Sequence, residues 1–487
     1  MTADPHAGFA LPKAGLIIGE KFLEAGSGGT HVHVFPATGE EQAAIPLAGA
    51  SEVDAAVAAA KKAGPMWKAM KPSERRDRLF RLADLVEAHG EEFAWIGTRE
   101  VGSPISGVRV IPGKFAAWTK YAAGWADKLE GRVVSTYQDD TVFDYTVPEP
   151  WGVIAMIITW NGPLMGLAMK IGPALAAGNT VVIKPPEFTP FTAFRMIQLA
   201  HEAGIPPGVI NLVTGGPEAG SALVTHPDVA KIAFTGGTHT AKAIASAIAP
   251  HMKPAIFELG GKSANLVFAD ADMELAVRHS ARTPLFLAGQ GCVLPTRVLV
   301  EESCAAEFTE RMLAEVRSIR IGDPLDSATE LGPVVNTAAQ ARLLGIIDGA
   351  KQRGDGHLAL GGGIPQGFEA GSYVEPTVFT GVGAQSSLGQ AECFGPVVSV
   401  LTFKNVEEAV QIANCTPFGL GAFVHSTNLP RTLRLVHQLD AGTIQINGAP
   451  TARENAPFGG QGMSGYGREG GYDGLAEFIR VKNVAIG

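Results

Sequence analysis

Three residues of this chain have types suited to one reaction. Cys292 lies in FLAGQGCVLP (286–295), a stretch of small and apolar residues bounded by a proline. A thiolate attacks carbonyl carbon and can leave a thioester behind. Glu258, 34 positions earlier in FELGGKSAN (257–265), offers a base to activate the water that cleaves such a thioester. Asn161, in IITWNGPL (157–164), follows an expected strand and precedes an expected helix. An amide there can donate a hydrogen bond to an oxyanion, at the place where ligands collect in open α/β sheets. Taken singly, each has an ordinary reading: a buried small side chain for Cys292, a solvated or capping carboxylate for Glu258 in a glycine-rich turn, a helix cap for Asn161.

Their joint use needs a scaffold that gathers them. Short β-rich runs alternate with longer helical stretches, the pattern of a doubly wound α/β architecture. The expected strands are 153–159, 179–184, 208–214, 231–235, 263–268, 297–301, 397–403 and 443–447. Most show no polar–apolar alternation, which implies burial on both faces. SERRDRLFRLADLVEAHG (73–90) reads as an amphipathic helix with a glycine stop. EGRVVSTYQDDTVFDYTV (130–147) and the tail from about Tyr472 read as peripheral strands that need a partner edge, from this chain or another subunit. GGG at 361–363 reads as a surface turn.

A chain of 487 residues, 46% hydrophobic and 18% charged, is expected to pack as two or three ordered domains. A net charge of −9 without basic clusters argues against nucleic acid or an anionic membrane as partner. Met1 to Pro12 lacks a basic start followed by an apolar run, and no stretch reaches the length of a membrane span, so a cytoplasmic location is expected. The four cysteines, Cys292, Cys304, Cys393 and Cys415, have neither metal-ligand nor disulfide spacing, and no metal is expected.

In order along the chain stand WN (160–161), KPPEFTP (184–190), FTGGT (234–238), ELGGKS (258–263), GQGC (289–292), ECFGPV (392–397) and PFGGQGMSGYGREGG (457–471). Together they resemble the aldehyde dehydrogenase superfamily, of the hydrolytic, non-acylating type, from about Gly19 to the C-terminus. The resemblance implies an α/β fold of two doubly wound domains plus a small β oligomerisation arm. Residues 1–129 and 150–257 would bind the dinucleotide, 258–446 would form the catalytic domain, 447–469 would line the substrate entrance, and 130–149 with 470–487 would form the arm of a homodimer or homotetramer.

It also implies roles. Cys292 would attack an aldehyde, Asn161 and the Cys292 N–H would hold the oxyanion, hydride would pass to the nicotinamide, and Glu258 would activate water against the thioester. Lys184 and Glu187 would contact the adenosine ribose, Trp160, Gly236 and Gly237 would border the cofactor, and Glu392 and Phe394 would hold the nicotinamide ribose and ring. A carboxylate at 187 suits NAD better than NADP, although NADP use stays open. Gly162, Gly166, Met169, Phe286, Val293, Ala452, Arg453 and Phe458 would line the substrate pocket. Small residues there suggest a bulky aromatic or long aliphatic aldehyde, with no aromatic cage for a quaternary ammonium. Arg453 leaves a semialdehyde acid open. Glu258 argues against acyl transfer to coenzyme A; a non-catalytic binding protein is the remaining alternative. Thr159, Gly237, Ala241, Gly291, Leu294 and Pro295 depart from the common pattern of the family.

Overall fold

Every residue of strands Val153–Ile157, Thr180–Lys184 and Ala264–Val267 is buried, as expected inside sheets covered on both sides. A computed structural model describes residues 8–137, 141–450 and 452–487. The first seven residues of the N-terminal reading and residues 138–140 of the arm reading lie outside this range.

Among the described residues, one sheet has eight strands in the order Gly465–Tyr466, Ala255–Glu258, Val229–Thr235, Val153–Ile157, Thr180–Lys184, Ile210–Leu212, Leu16–Ile18, Lys21–Leu23. Its five central strands are parallel, and the flanking pairings are antiparallel. Along Val153–Ile157 the side chains alternate between two cores, Ile154 and Met156 in one, Val153, Ala155 and Ile157 in the other. A strand with apolar cover on both faces has no polar side, which is why this run lacks alternation in sequence.

The second sheet has seven strands, in the order His357–Leu360, Thr377–Thr380, Val397–Phe403, Arg297–Glu301, Ala264–Val267, Gly421–His425, Thr443–Ile446. Only the pairing of its first two is antiparallel. The strand ends fix where chemistry can occur. Lys184, Thr235 and Glu258 are the C-terminal residues of strands in the first sheet, while Ser263, Pro396 and the segment carrying Cys292 lead into N-terminal ends of the second. The site therefore lies between the carboxyl edge of one sheet and the amino edge of the other.

All eight expected strands fall on observed ones, but several others escaped the reading, among them Leu16–Ile18, Ala255–Glu258 and Gly421–His425. The second omission matters: Glu258 ends a strand and is buried, where the sequence suggested a glycine-rich turn. The expected glycine stop is also corrected. Helix Pro72–Ala88 ends at His89, and Gly90 begins the next helix, Gly90–Val101.

The peripheral strands find each other: Ile479–Ile486 pairs antiparallel with Phe143–Pro150, which also takes Val133–Val134. One buried side chain roots this sheet. Asn179 accepts from Gly152 N at 3.0 Å and donates to the carbonyls of Ala174 and Phe478 at 3.0 and 2.9 Å. Asn179→Ala would leave Gly152 N and the Phe478 carbonyl without this partner, while the Ala174 carbonyl keeps the backbone N–H of residue 179, and is expected to lower stability by about 1–3 kcal/mol in urea unfolding; an unchanged midpoint would contradict that role.

Candidate active site

Cys292 follows a segment whose backbone is tightly specified. Leu287, Ala288 and Gly289 all have φ between +53° and +72°. The two residues with side chains hold a conformation that costs about 1 kcal/mol or more each. Gly289 is required by space, since a Cβ there would lie 2.1 Å from the Gly395 carbonyl oxygen. Gln290 then locks the turn: its side chain donates to Leu287 O at 3.0 Å and accepts from Val335 N at 2.9 Å. Its own carbonyl accepts from Asn161 Nδ2 at 2.7 Å. Asn161 is thus not the helix cap, a place taken by Gly162 ahead of helix Pro163–Ala176.

Two departures around the nucleophile turn out to be one. A Cβ on Gly291 would lie 2.8 Å from Leu294 Cγ, so the larger leucine occupies the room that glycine leaves. Ala241 is buried in the apolar core beneath helix Thr238–Ile248, and Gly237 caps that helix with open space beside it.

A cleft of about 840 Å³ brings together Cys292, Asn161, Trp160, Lys184, Glu187, Gly236, Gly237, Glu392 and Phe394. Glu392 sits against the ELGGKS turn, accepting from Gly261 N at 3.0 Å. Phe394 has φ +51° and meets the Trp160 ring edge-on at 5.4 Å. Arg342, which also lines the cleft, donates to Cys393 O at 2.7 Å and holds this turn. Lys184 is buried, donates to the carbonyls of Gly215 and Pro185, and is lowered by burial to about 8, with Glu187 opposing the shift.

The residues expected at the substrate side lie outside this cleft. Met169 and Phe458 belong to the core of the first sheet, with Val293, Ala452 and Met165 packed against it. Gly162 and Gly166 stand on helix Pro163–Ala176 and just before it. Phe286 is exposed beside Gly107, and Arg453 is exposed with no side-chain partner among the described residues.

Glu258 lies in a charged cluster that the sequence reading missed. Both of its carboxyl oxygens are buried without a protein hydrogen-bond partner among the described residues. Lys170, wholly buried, pairs with Glu469 and donates to Thr235 Oγ1 at 2.6 Å. Burial, then the Glu469 carboxylate, pushes Glu258 well above the usual carboxylate range, opposed by Lys170 and Arg468. Burial and the charges of Glu258, Glu392 and Glu469 push the Cys292 thiol up to about 12. Lys170 left a signal: a lone lysine in LMGLAMKIGPALA, a helix apolar nearly all round, must find a buried partner. Glu469, 299 positions away, carried none.

The model of the aldehyde dehydrogenase family matches residues 22–484. Betaine aldehyde dehydrogenase of Brucella anthropi is 39% identical over 98% of both chains. PnpE of Pseudomonas sp. WBC-3, solved with nicotinamide adenine dinucleotide, superposes with a TM-score of 0.95 at 41% identity over 98% of both chains. The NAD-dependent aldehyde dehydrogenase of Sinorhizobium meliloti gives 0.96 at 38% identity, over 100% of this chain and 97% of that one. The chain belongs to the aldehyde dehydrogenase family, and its fold is the α/β fold of that family.

A carboxyl raised by burial and by a like charge is protonated at low pH and becomes a base only as pH rises. Turnover is therefore expected to increase with pH along a limb set by Glu258 and displaced by the charges of Glu469 and Lys170. Glu469→Gln should move that limb to lower pH and Lys170→Met to higher pH in kcat profiles. Coincident profiles would contradict the coupling.

Proposed function

We propose that this chain oxidises an aldehyde to its carboxylic acid with NAD, through a thioester on Cys292. One observation carries the reading: a single cleft runs from Lys184 and Glu187 to Cys292, Asn161, Glu392 and Phe394. Its residues fit a dinucleotide. Glu187 offers a carboxylate to ribose hydroxyls, the N-terminal residues Gly237, His239 and Thr240 of helix Thr238–Ile248 suit a pyrophosphate, and Trp160 and Phe394 frame a flat ring. NAD, when bound, supplies the hydride acceptor.

The protein does the rest. With its thiol held near 12, Cys292 is protonated at neutral pH and needs a base. Glu258, whose charge already raises that thiol, is the acceptor. Attack on the aldehyde gives a thiohemiacetal whose oxyanion receives hydrogen bonds from Asn161 Nδ2 and the Cys292 N–H. Glu258 then gives the thiol proton up to solvent; after hydride loss it takes a proton from the water that attacks the thioester, the carboxylic acid leaves, and Glu258 returns that proton to the Cys292 sulfur. Residues 1–129 and 150–257 form the cofactor domain in this reading, and 258–446 the catalytic one.

On the substrate, small residues at Gly162, Gly166 and Ala452 support a bulky apolar aldehyde. The unpaired, exposed Arg453 supports a second reading, an aldehyde that also bears a carboxylate. A quaternary ammonium aldehyde, suggested by the Brucella relative, is disfavoured by thioethers at Met165 and Met169 in place of aromatic rings. The arm exposes Val133, Tyr137, Phe143, Val481 and Ile486, apolar side chains that a second copy would cover. No described helix is long and apolar enough to cross a membrane, and with all four thiols free we assign the chain to the cytoplasm.

NADH formation by the purified protein, tested with aromatic, long aliphatic, short, carboxylate-bearing and quaternary ammonium aldehydes, checks this reading. Cys292→Ala should abolish turnover, and Asn161→Ala should cut it roughly a hundredfold; activity surviving Cys292→Ala would refute the mechanism. Lys184 loses its charge as pH passes about 8. The KM for NAD is therefore expected to rise above that pH in the wild type and to stay level in Lys184→Arg. A wild-type KM that is flat from neutral to alkaline pH would remove Lys184 from the cofactor site.

A further inference from the structure

Among the described residues the buried lysines are Lys170, Lys184, Lys231 and Lys262. The first three have oxygen partners. Lys170 and Lys231 pair with the carboxylates of Glu469 and Glu477, and Lys184 donates to the carbonyls of Pro185 and Gly215. Lys262 has no such partner among the described residues: its Nζ meets only the Cys393 sulfur, at 3.9 Å, and each of the two side chains belongs to a residue 2% exposed. Sulfur is a weak acceptor, so this contact does not repay the burial of an ammonium group.

The surroundings favour the uncharged amine instead, which carries a nucleophilic lone pair. Burial holds the Lys262 ammonium below the usual lysine range, against the pull of the Cys393 sulfur, and the nearby Arg297 guanidinium acts with burial. Arg297 donates to the carbonyls of Lys262, Ile412 and Ala413, and no carboxylate pairs with it among the described residues. The other structural thiols lack such a neighbour: Cys304 donates to Glu301 O, and Cys415 meets Arg297 and Gln390. Cys393 itself lies between Glu392 and Phe394, both of which line the cofactor cleft. An oxidant suited to so closed a thiol is one near the size of water.

We propose that Lys262 and Cys393 form an oxidation-sensitive pair: hydrogen peroxide converts the thiol to a sulfenic acid, and the amine captures it as a sulfenamide, an S–N bond between two turns. In the first step the peroxide O–O bond breaks, sulfur gains a hydroxyl, and one water leaves; the sulfur gives up two electrons and the peroxide takes them. In the second the Nζ lone pair displaces hydroxide from sulfur, and that hydroxide leaves with an N–H proton as a second water. One thiol, one amine and one peroxide thus give one sulfenamide and two waters. Two equivalents of a small thiol reverse the change, restoring both side chains and leaving as their own disulfide. A covalent bond is far shorter than 3.9 Å, so closure draws residue 393 toward the ELGGKS turn. Glu392, the next residue, accepts from Gly261 N in that turn and lines the cleft, so closure displaces it and weakens NAD binding.

The test uses full-length Cys292→Ala, which removes the competing thiol and makes the result independent of turnover. After hydrogen peroxide, its intact mass should fall by about 2 Da, peptide mapping should join Lys262 to Cys393, and dithiothreitol should restore both. Adding Cys393→Ser should abolish the mass loss. Adding Lys262→Met instead should leave a sulfenic acid on Cys393 that dimedone labels, whereas dimedone should not label the parent there. The linked protein should bind NAD several-fold more weakly by calorimetry, recovering on reduction. Cys393 left reduced, or carried to sulfinic acid with Lys262 free, overturns the pair, and the peptide map of the parent decides this even where Lys262→Met does not fold. Unchanged NAD affinity in the linked protein overturns the effect on the cofactor site.

Discussion

The nucleophile loop sits where it does because two backbones approach too closely for a side chain. A Cβ at Gly289 would lie 2.1 Å from the Gly395 carbonyl oxygen, and one at Gly260 would lie 2.0 Å from a Glu392 carboxyl oxygen. These contacts join the turns that lead into three neighbouring strands of the second sheet, Ala264–Val267, Arg297–Glu301 and Val397–Phe403. Parallel strands bring such turns to a common edge, and the edge then faces the carboxyl ends of the first sheet. Cys292, Glu392 and Phe394 meet Asn161 and Lys184 because the parallel parts of two sheets abut in this polarity. Strain at Leu287 and Ala288 fits the same picture, since only a well-packed surround holds a loop in that conformation.

The electrostatics at this junction are not arranged for stability. Glu258, Glu392 and Glu469 all raise the thiol, and the buried ammonium that directly pairs with a carboxylate here is Lys170. Burying like charges together is expensive, and an apolar replacement of similar volume is commonly neutral or stabilising. A resting thiol that is protonated and a carboxyl poised as a base suit a site that must first add to a carbonyl and later cleave the ester so formed. In the reading proposed above, the same arrangement would keep the thiol quiet between turnovers, because only the thiolate reacts readily.

Much of this was legible in the sequence, for physical reasons that differ residue by residue. The buried strands announced themselves as apolar runs, and the motifs at 258–263, 289–292 and 392–397 marked turns that prove to touch. Strand Ala255–Glu258 was hidden by its shortness and by the glycines after it, so Glu258 looked like a turn residue. Glu469 could not be found, because its partner Lys170 is distant in sequence and pairing across that distance leaves no periodic trace. Gly291 and Leu294 looked like two independent departures, and only their packing makes them one exchange of volume.

The account stands or falls on a covalent bond to Cys292. Glu258→Gln, mixed with NAD and an aldehyde that the wild type oxidises, should retain acyl transfer to sulfur while losing the base that releases it. Intact-protein and peptide mass spectrometry is then expected to find the acyl mass on the peptide carrying Cys292 after one equivalent of NADH has formed. Equal NADH with no acyl mass, or the acyl group on Cys304, Cys393 or Cys415 instead, would contradict it.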